Sequence, residues 1–173
     1  MAWWDSTPDE VTPYSVETGD NRSDSEDPYY IANYQINKML QCLEGPLYSA
    51  IDAGKKFVLT GTFAALLSFV DVPVAVGLAV KAAFSTLLDA LSSDNTSAQD
   101  IAIDGFINTL ENFAPGAIDY GVKKLIKNAL VRYGVKAALN QIVTKVIAPF
   151  IRYNLNKACA TAKRSDYYDW KCG

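Results

Sequence analysis

The sequence predicts an all-α protein: a compact bundle of five or six helices around a central apolar helical hairpin, with an acidic N-terminal arm. Three observations carry this. Apolar residues recur at helical spacing from residue 29 onward. The β-branched residues fall on those helical periods, and hairpin turn signals are absent, so no strand is expected. One stretch, Phe57 to Val80, runs 24 residues with a single charge, Asp71. At 173 residues and 50% hydrophobic composition, the chain is long enough to bury a real core.

The arm, residues 1–28, holds eight acids, one base and three prolines, with almost no aliphatics. Such a segment cannot bury enough apolar surface to order itself, and disorder is expected. Trp3 and Trp4 are the exception, and they are expected to anchor the arm on the domain or on a partner. The helical domain is assigned to 29–158 and a polar, aromatic tail to 159–173.

Within the domain, Ile36, Met39, Leu40 and Leu43 give the first helix, and Gly45-Pro46 is expected to end it. A second helix runs from Leu47 to about Val70. Asp71 and Pro73 mark a stop and restart, because proline suits a first turn and harms a helix interior. The third helix spans Pro73 to about Leu91. After the polar loop "SSDNTS", Ser97 with Asp100 resembles a capping box opening a fourth helix through Ile101, Phe106, Leu110 and Phe113, closed by Pro115-Gly116. In the fifth, Val122, Leu125, Ile126, Ala129, Leu130 and Tyr133 form one apolar stripe. After Gly134, Leu139, Ile142, Val143, Val146, Ile147, Phe150 and Ile151 form another, with Lys136, Asn140, Thr144 and Lys145 outside it.

Composition argues against catalysis. The chain has no histidine, which removes the commonest general base and metal ligand together. Its three cysteines lack CxxC spacing, so no zinc site is expected. Cys159 and Cys172 could bridge across the tail, or all three could remain thiols. No GxSxG, GxGxxG or phosphate-binding loop occurs, and "AGKK" at 53–56 lacks the upstream glycine and the following Ser or Thr. Asp100 and Asp104 lie one turn apart near a helix start, where acids ordinarily balance the helix dipole. The expectation is a non-enzyme with no catalytic residue, metal or cofactor.

The net charge of −3 hides an asymmetry: −7 over residues 1–28 and +8 over 119–173. With four arginines in the chain and the bases outside amphipathic helices, nucleic acid is not the expected partner. Basic helices with a clean apolar face bind anionic lipid, so Lys123, Lys124, Lys127, Lys136 and Lys145 are the expected lipid contacts.

The 24-residue apolar run could reach across the roughly 30 Å hydrocarbon layer as one helix, but Asp71 and Pro73 at its middle favour a hairpin of two apolar helices. Its expected membrane residues are Phe57, Leu59, Phe63, Leu66, Leu67, Phe69, Val70, Asp71, Pro73, Val74, Val76, Leu78 and Val80. Gly61 with Ala65, and Ala75 with Ala79 and Ala83, repeat at four-residue spacing that permits close helix contact. A helix apolar all round is also what a buried bundle centre looks like. In plan, an apolar hairpin wrapped by amphipathic, partly basic helices is similar to the channel domains of pore-forming bacteriocins, where the hairpin lies nearer the C-terminus.

The expected function is therefore a pore-forming or depolarising toxin that inserts this hairpin into a target membrane. The alternatives are a structural or interaction module docking through its arm on a protein partner or a second copy, or a lipid carrier. The opening "MAWWDSTPDE" lacks a basic start and an apolar run, so no Sec signal is read. The expectation is a protein soluble before delivery and exported by another route.

Overall fold

The computed structural model describes residues 28–70 and 72–161; among them the chain is helical and contains no strand. The arm short of Pro28, with Trp3 and Trp4, lies outside the described residues, as do Asp71 and residues 162–173. Two compact units divide the chain: Met1–Leu43 with Leu155–Gly173, and Glu44–Asn154.

Helix α1 spans Pro28–Ala53 and keeps Pro46 in its interior. The expected stop at Gly45-Pro46 is thus corrected. Proline in a helix interior costs about 3 kcal/mol through its missing N–H and its ring, yet the apolar stripe runs on past it. Leu47, Ala50 and Ile51 are buried, as Ile36, Met39 and Leu40 are before it, while Gly45 and Pro46 face solvent. Burying a large aliphatic gives about 1.5–3 kcal/mol, so two or three such residues outweigh the proline. The helix ends instead at Gly54, whose φ of 67° is the left-handed conformation that glycine adopts without strain.

Unit Met1–Leu43 with Leu155–Gly173 contains Ile36, Met39, Leu40 and Leu155 as buried apolar residues. Cys42 is disulfide-bonded. With three cysteines in the chain, a bridge at Cys42 leaves one further thiol, so neither alternative read from the sequence, a Cys159–Cys172 bridge or three thiols, stands beside it.

In unit Glu44–Asn154, α2 (Lys56–Phe69) and α3 (Val74–Leu91) form the hairpin, joined through Val70–Pro73 as the Asp71-Pro73 break implied. Lys56, the first residue of α2, pairs with Asp89 in the last turn of α3, which fixes the two helices as antiparallel. α4 (Thr96–Phe113) packs along α3. Its N-cap is Asn95, whose side chain accepts from the Ala98 N–H at 3.1 Å. This corrects the expected Ser97–Asp100 box: asparagine is as good a cap as serine, and it comes two residues earlier. Phe63, Phe84 and Phe106, one from each of these three helices, meet with ring centroids 4.4, 5.5 and 6.2 Å apart, and all three are buried.

α5 (Val122–Tyr133) runs back along α4 and stops at Gly134, whose φ is 99°. α6 (Val135–Ile142) packs on α5 and continues through a π-helical turn, Val143–Ile147, into α7 (Ala148–Thr161). Pro149 accounts for the turn. A proline ring clashes with the carbonyl four residues back, here Lys145, and a widened turn relieves that clash. The run Ala138–Leu155 holds the densest set of buried side chains, ten in all. The hairpin is less enclosed than its composition implied, because one side of each of its helices faces out.

Candidate functional site: the apolar hairpin and the basic helices

The hairpin's helices sort their apolar residues onto two faces. Leu59, Phe63, Leu66, Leu67 and Val70 from α2 and the turn, with Val80, Phe84, Leu87, Leu88 and Leu91 from α3, point into the unit and are buried. The opposite face is also apolar. Phe57 is 87% exposed and Val74 79%, and Leu78, Phe69, Pro73, Ala65 and Ala79 are exposed with them. Val76 is half-buried. Of the thirteen residues expected to enter a membrane, the structure therefore places Phe57, Phe69, Pro73, Val74 and Leu78 on an outward face, and Leu59, Phe63, Leu66, Leu67, Val70 and Val80 in the core. Asp71 lies outside the described residues.

An ordinary core helix spends its apolar side chains on the core. α3 does so only in part: over Val74–Leu91 it is long and apolar enough to cross a membrane, and 28% of that window is buried. α2 is apolar but shorter. Small residues keep the outward seam between the two helices open. A groove of about 210 Å³ is lined there by Ala64, Ser68, Gly77, Leu78 and Lys81, among others. Nearer the open end of the hairpin, a second groove of about 410 Å³ is lined by Lys56, Thr60, Leu78, Lys81, Ala82 and Ser85.

The five lysines expected to meet lipid also divide. Lys123 donates to Asn108 Oδ1 at 3.0 Å, and Lys127 pairs with Asp104 at 3.1 Å, so both turn toward α4. Lys124, Lys136 and Lys145 are exposed. The stripe expected on α5 is only partly covered: Val122 and Ile126 are buried, whereas Leu125 and Tyr133, assigned to the same stripe, are exposed. Sequence reasoning also missed Val131, which is exposed between Lys127 and Arg132.

One polar cluster lies inside the unit. Glu44 is fully buried and accepts from the Tyr48 hydroxyl at 3.3 Å, and Tyr48 also meets Thr144 in the π-helical turn. Burial pushes the Tyr48 hydroxyl above its ordinary pKa. Glu44 adds to the rise through its charge and its hydrogen bond, against the lowering effect of Thr144. Thr144, expected on the solvent side, is half-buried because of this contact, and its own hydroxyl donates to the Asn140 carbonyl at 2.9 Å.

Among the described residues, no three His, Cys, Asp or Glu side chains gather as metal ligands. No protein-family model matches the chain, and neither a curated protein nor a solved structure does.

Proposed function

We propose that this chain is a membrane-active, non-enzymatic protein of the pore-forming or depolarising kind, and that its α2–α3 hairpin is the part that enters the bilayer. The observation that supports this most is the outward face of the hairpin, where Phe57, Phe69, Val74 and Leu78 stand exposed on helices whose other face is already apolar. In water, exposed apolar surface costs about 25 cal/mol per Å², and contiguous patches of this kind mark interaction or membrane sites. Inserted, both faces of each helix meet hydrocarbon or each other, and the backbone carries its own hydrogen bonds as a bilayer requires. Gly61, Ala65, Ala75 and Ala79 allow close helix approach in that state.

Before insertion the hairpin is held to its unit through Phe106 of α4, whose ring packs against Phe63 and Phe84. The Lys56–Asp89 pair lies within the hairpin, ties α2 to α3, and, exposed at both ends, contributes at most about 1 kcal/mol. Insertion then trades the contacts of α2 and α3 with α4 for contacts with lipid.

Release of an entrapped dye from vesicles containing phosphatidylglycerol tests the reading. The full chain is expected to release the dye. The variants Ala65→Asp and Ala79→Asp, at exposed positions where the soluble fold tolerates a charge, are expected to fold and to release none, since a buried charge at membrane depth costs about 2.5–3.5 kcal/mol or more. Full release by a folded aspartate variant contradicts insertion of the hairpin.

A further inference from the structure

We infer that the outward face of α5 is a second membrane contact, distinct from the hairpin, which lays the helix on an anionic bilayer surface with Lys124 and Arg132 at the headgroups and Leu125 and Val131 at the two edges of that face. The inference rests on the membrane-active reading above and names the lipid class that the protein meets.

The first support is charge. From Val122 to Thr161 the chain carries eight bases and no acid. Two of the bases on α5 are taken up internally, Lys123 by Asn108 and Lys127 by Asp104. These contacts turn one side of α5 toward α4 and leave Lys124 and Arg132 directed outward. The nearest acid before the helix, Asp119, accepts from the Gly121 N–H at 3.2 Å. An acid-free helix with two outward bases complements an anionic surface, where each base near the plane is worth about 1 kcal/mol.

The second support is the apolar content of the same face. Lys124, Leu125, Asn128, Val131 and Arg132 are all exposed, and their helical spacing places them on one arc of α5. Val131 is 80% exposed, and Leu125 flanks the arc on its other side. Tyr120, just before the helix, is 88% exposed. An exposed tyrosine beside a helix face that mixes bases with aliphatics fits the boundary between headgroup and acyl chain, where amphipathic rings sit.

Sedimentation of the full chain with vesicles separates this contact from the hairpin. Two compositions are used, phosphatidylcholine alone and phosphatidylcholine with phosphatidylglycerol, each at low and at physiological salt. The chain is expected to bind the anionic vesicles and to lose affinity as salt rises. The K124Q/R132Q variant is expected to bind them about thirtyfold more weakly at low salt, the effect of two lost charges. L125S/V131S is expected to bind more weakly at both salts. All four side chains are exposed, so unchanged circular dichroism is expected. Ala79→Asp is expected to keep binding while losing dye release.

If both α5 variants bind like the parent while the parent still releases dye, the α5 contact is overturned and the hairpin reading stands. Tighter binding to a nucleic-acid duplex than to anionic vesicles also overturns it. A parent chain that neither binds nor permeabilises vesicles overturns both.

Discussion

Lys127 and Asp104 form an ion pair at 3.1 Å between α5 and α4, and Lys123 repeats the contact one turn away by donating to Asn108 at 3.0 Å. Advancing four residues along α5 retreats four along α4, so the two helices are antiparallel and their register is set by side chains named in the sequence. The same register decides which bases can face outward. Lys127→Ala is expected to cost at most about 1 kcal/mol of stability, because both partners are partly exposed. It is expected to leave affinity for anionic vesicles nearly unchanged, whereas Lys124→Ala lowers it several-fold. Comparing the two single variants in one sedimentation series checks this, and equal losses would contradict the division of the lysines.

The Phe63–Phe84–Phe106 cluster is the packing that holds the hairpin to the rest of its unit. Phe84 is 1% exposed and sits within 4.4 Å and 5.5 Å, centroid to centroid, of the other two rings. Phe84→Ala is expected to lower stability by about 3–5 kcal/mol in urea unfolding. Because the variant removes a ring that packs on Phe106 of α4, it loosens the hold of the unit on the hairpin and is also expected to release vesicle dye faster than the parent at a temperature where both are folded. Slower release would place the cluster in the inserted state instead.

Tyr48 sets a pH dependence at the alkaline end. Burial, with Glu44 beside it, raises the hydroxyl's pKa in the folded chain above the ordinary value near 10. The folded state therefore binds that proton more tightly than the unfolded state. The stabilisation from this group is fully present below about pH 10 and declines as pH rises from there through the folded-state pKa. Tyr48→Phe cannot titrate, so its stability is expected to fall less steeply than the parent's above pH 10 by urea unfolding. Parallel slopes for parent and variant would remove Tyr48 as the cause.

The bridge at Cys42 uses two of three cysteines. Titration of the denatured, unreduced chain with a thiol reagent is expected to find one free thiol, and Cys42→Ser two. Closing a long loop, the bridge is expected to contribute about 2–5 kcal/mol, read as the loss of stability on reduction. Three free thiols in the parent would contradict it.

Much of this architecture was legible in the sequence. The Asp71-Pro73 break, the stop at Gly134 and the stripe from Leu139 to Ile151 each appear where spacing and backbone chemistry place them. The misreadings share a cause. At Pro46 a local rule predicted a helix end, but Leu47 and Ile51 continue a stripe whose burial is worth more than the proline costs. On α5 the periodicity gives one apolar stripe, of which Val122 and Ile126 are covered while Leu125 and Tyr133 are exposed. Periodicity tells which residues share a helix face. It does not tell how much of that face neighbouring helices cover, and this is why Leu125 and Val131 on α5, and Leu78 on α3, emerge only from the packing. The two-sided nature of the hairpin was visible as composition, while its outward half was not.

Hydrophobic photolabelling from the bilayer interior tests the central claim most directly. The full chain is bound to phosphatidylglycerol-containing vesicles whose acyl chains carry a photoactivatable group near the bilayer centre. After irradiation, the labelled residues are mapped by peptide mass spectrometry. Insertion of the hairpin predicts label within residues 57–80, including positions such as Phe63 and Leu67 that are buried in the folded unit. A bound chain that carries its label elsewhere and none in 57–80 would contradict it.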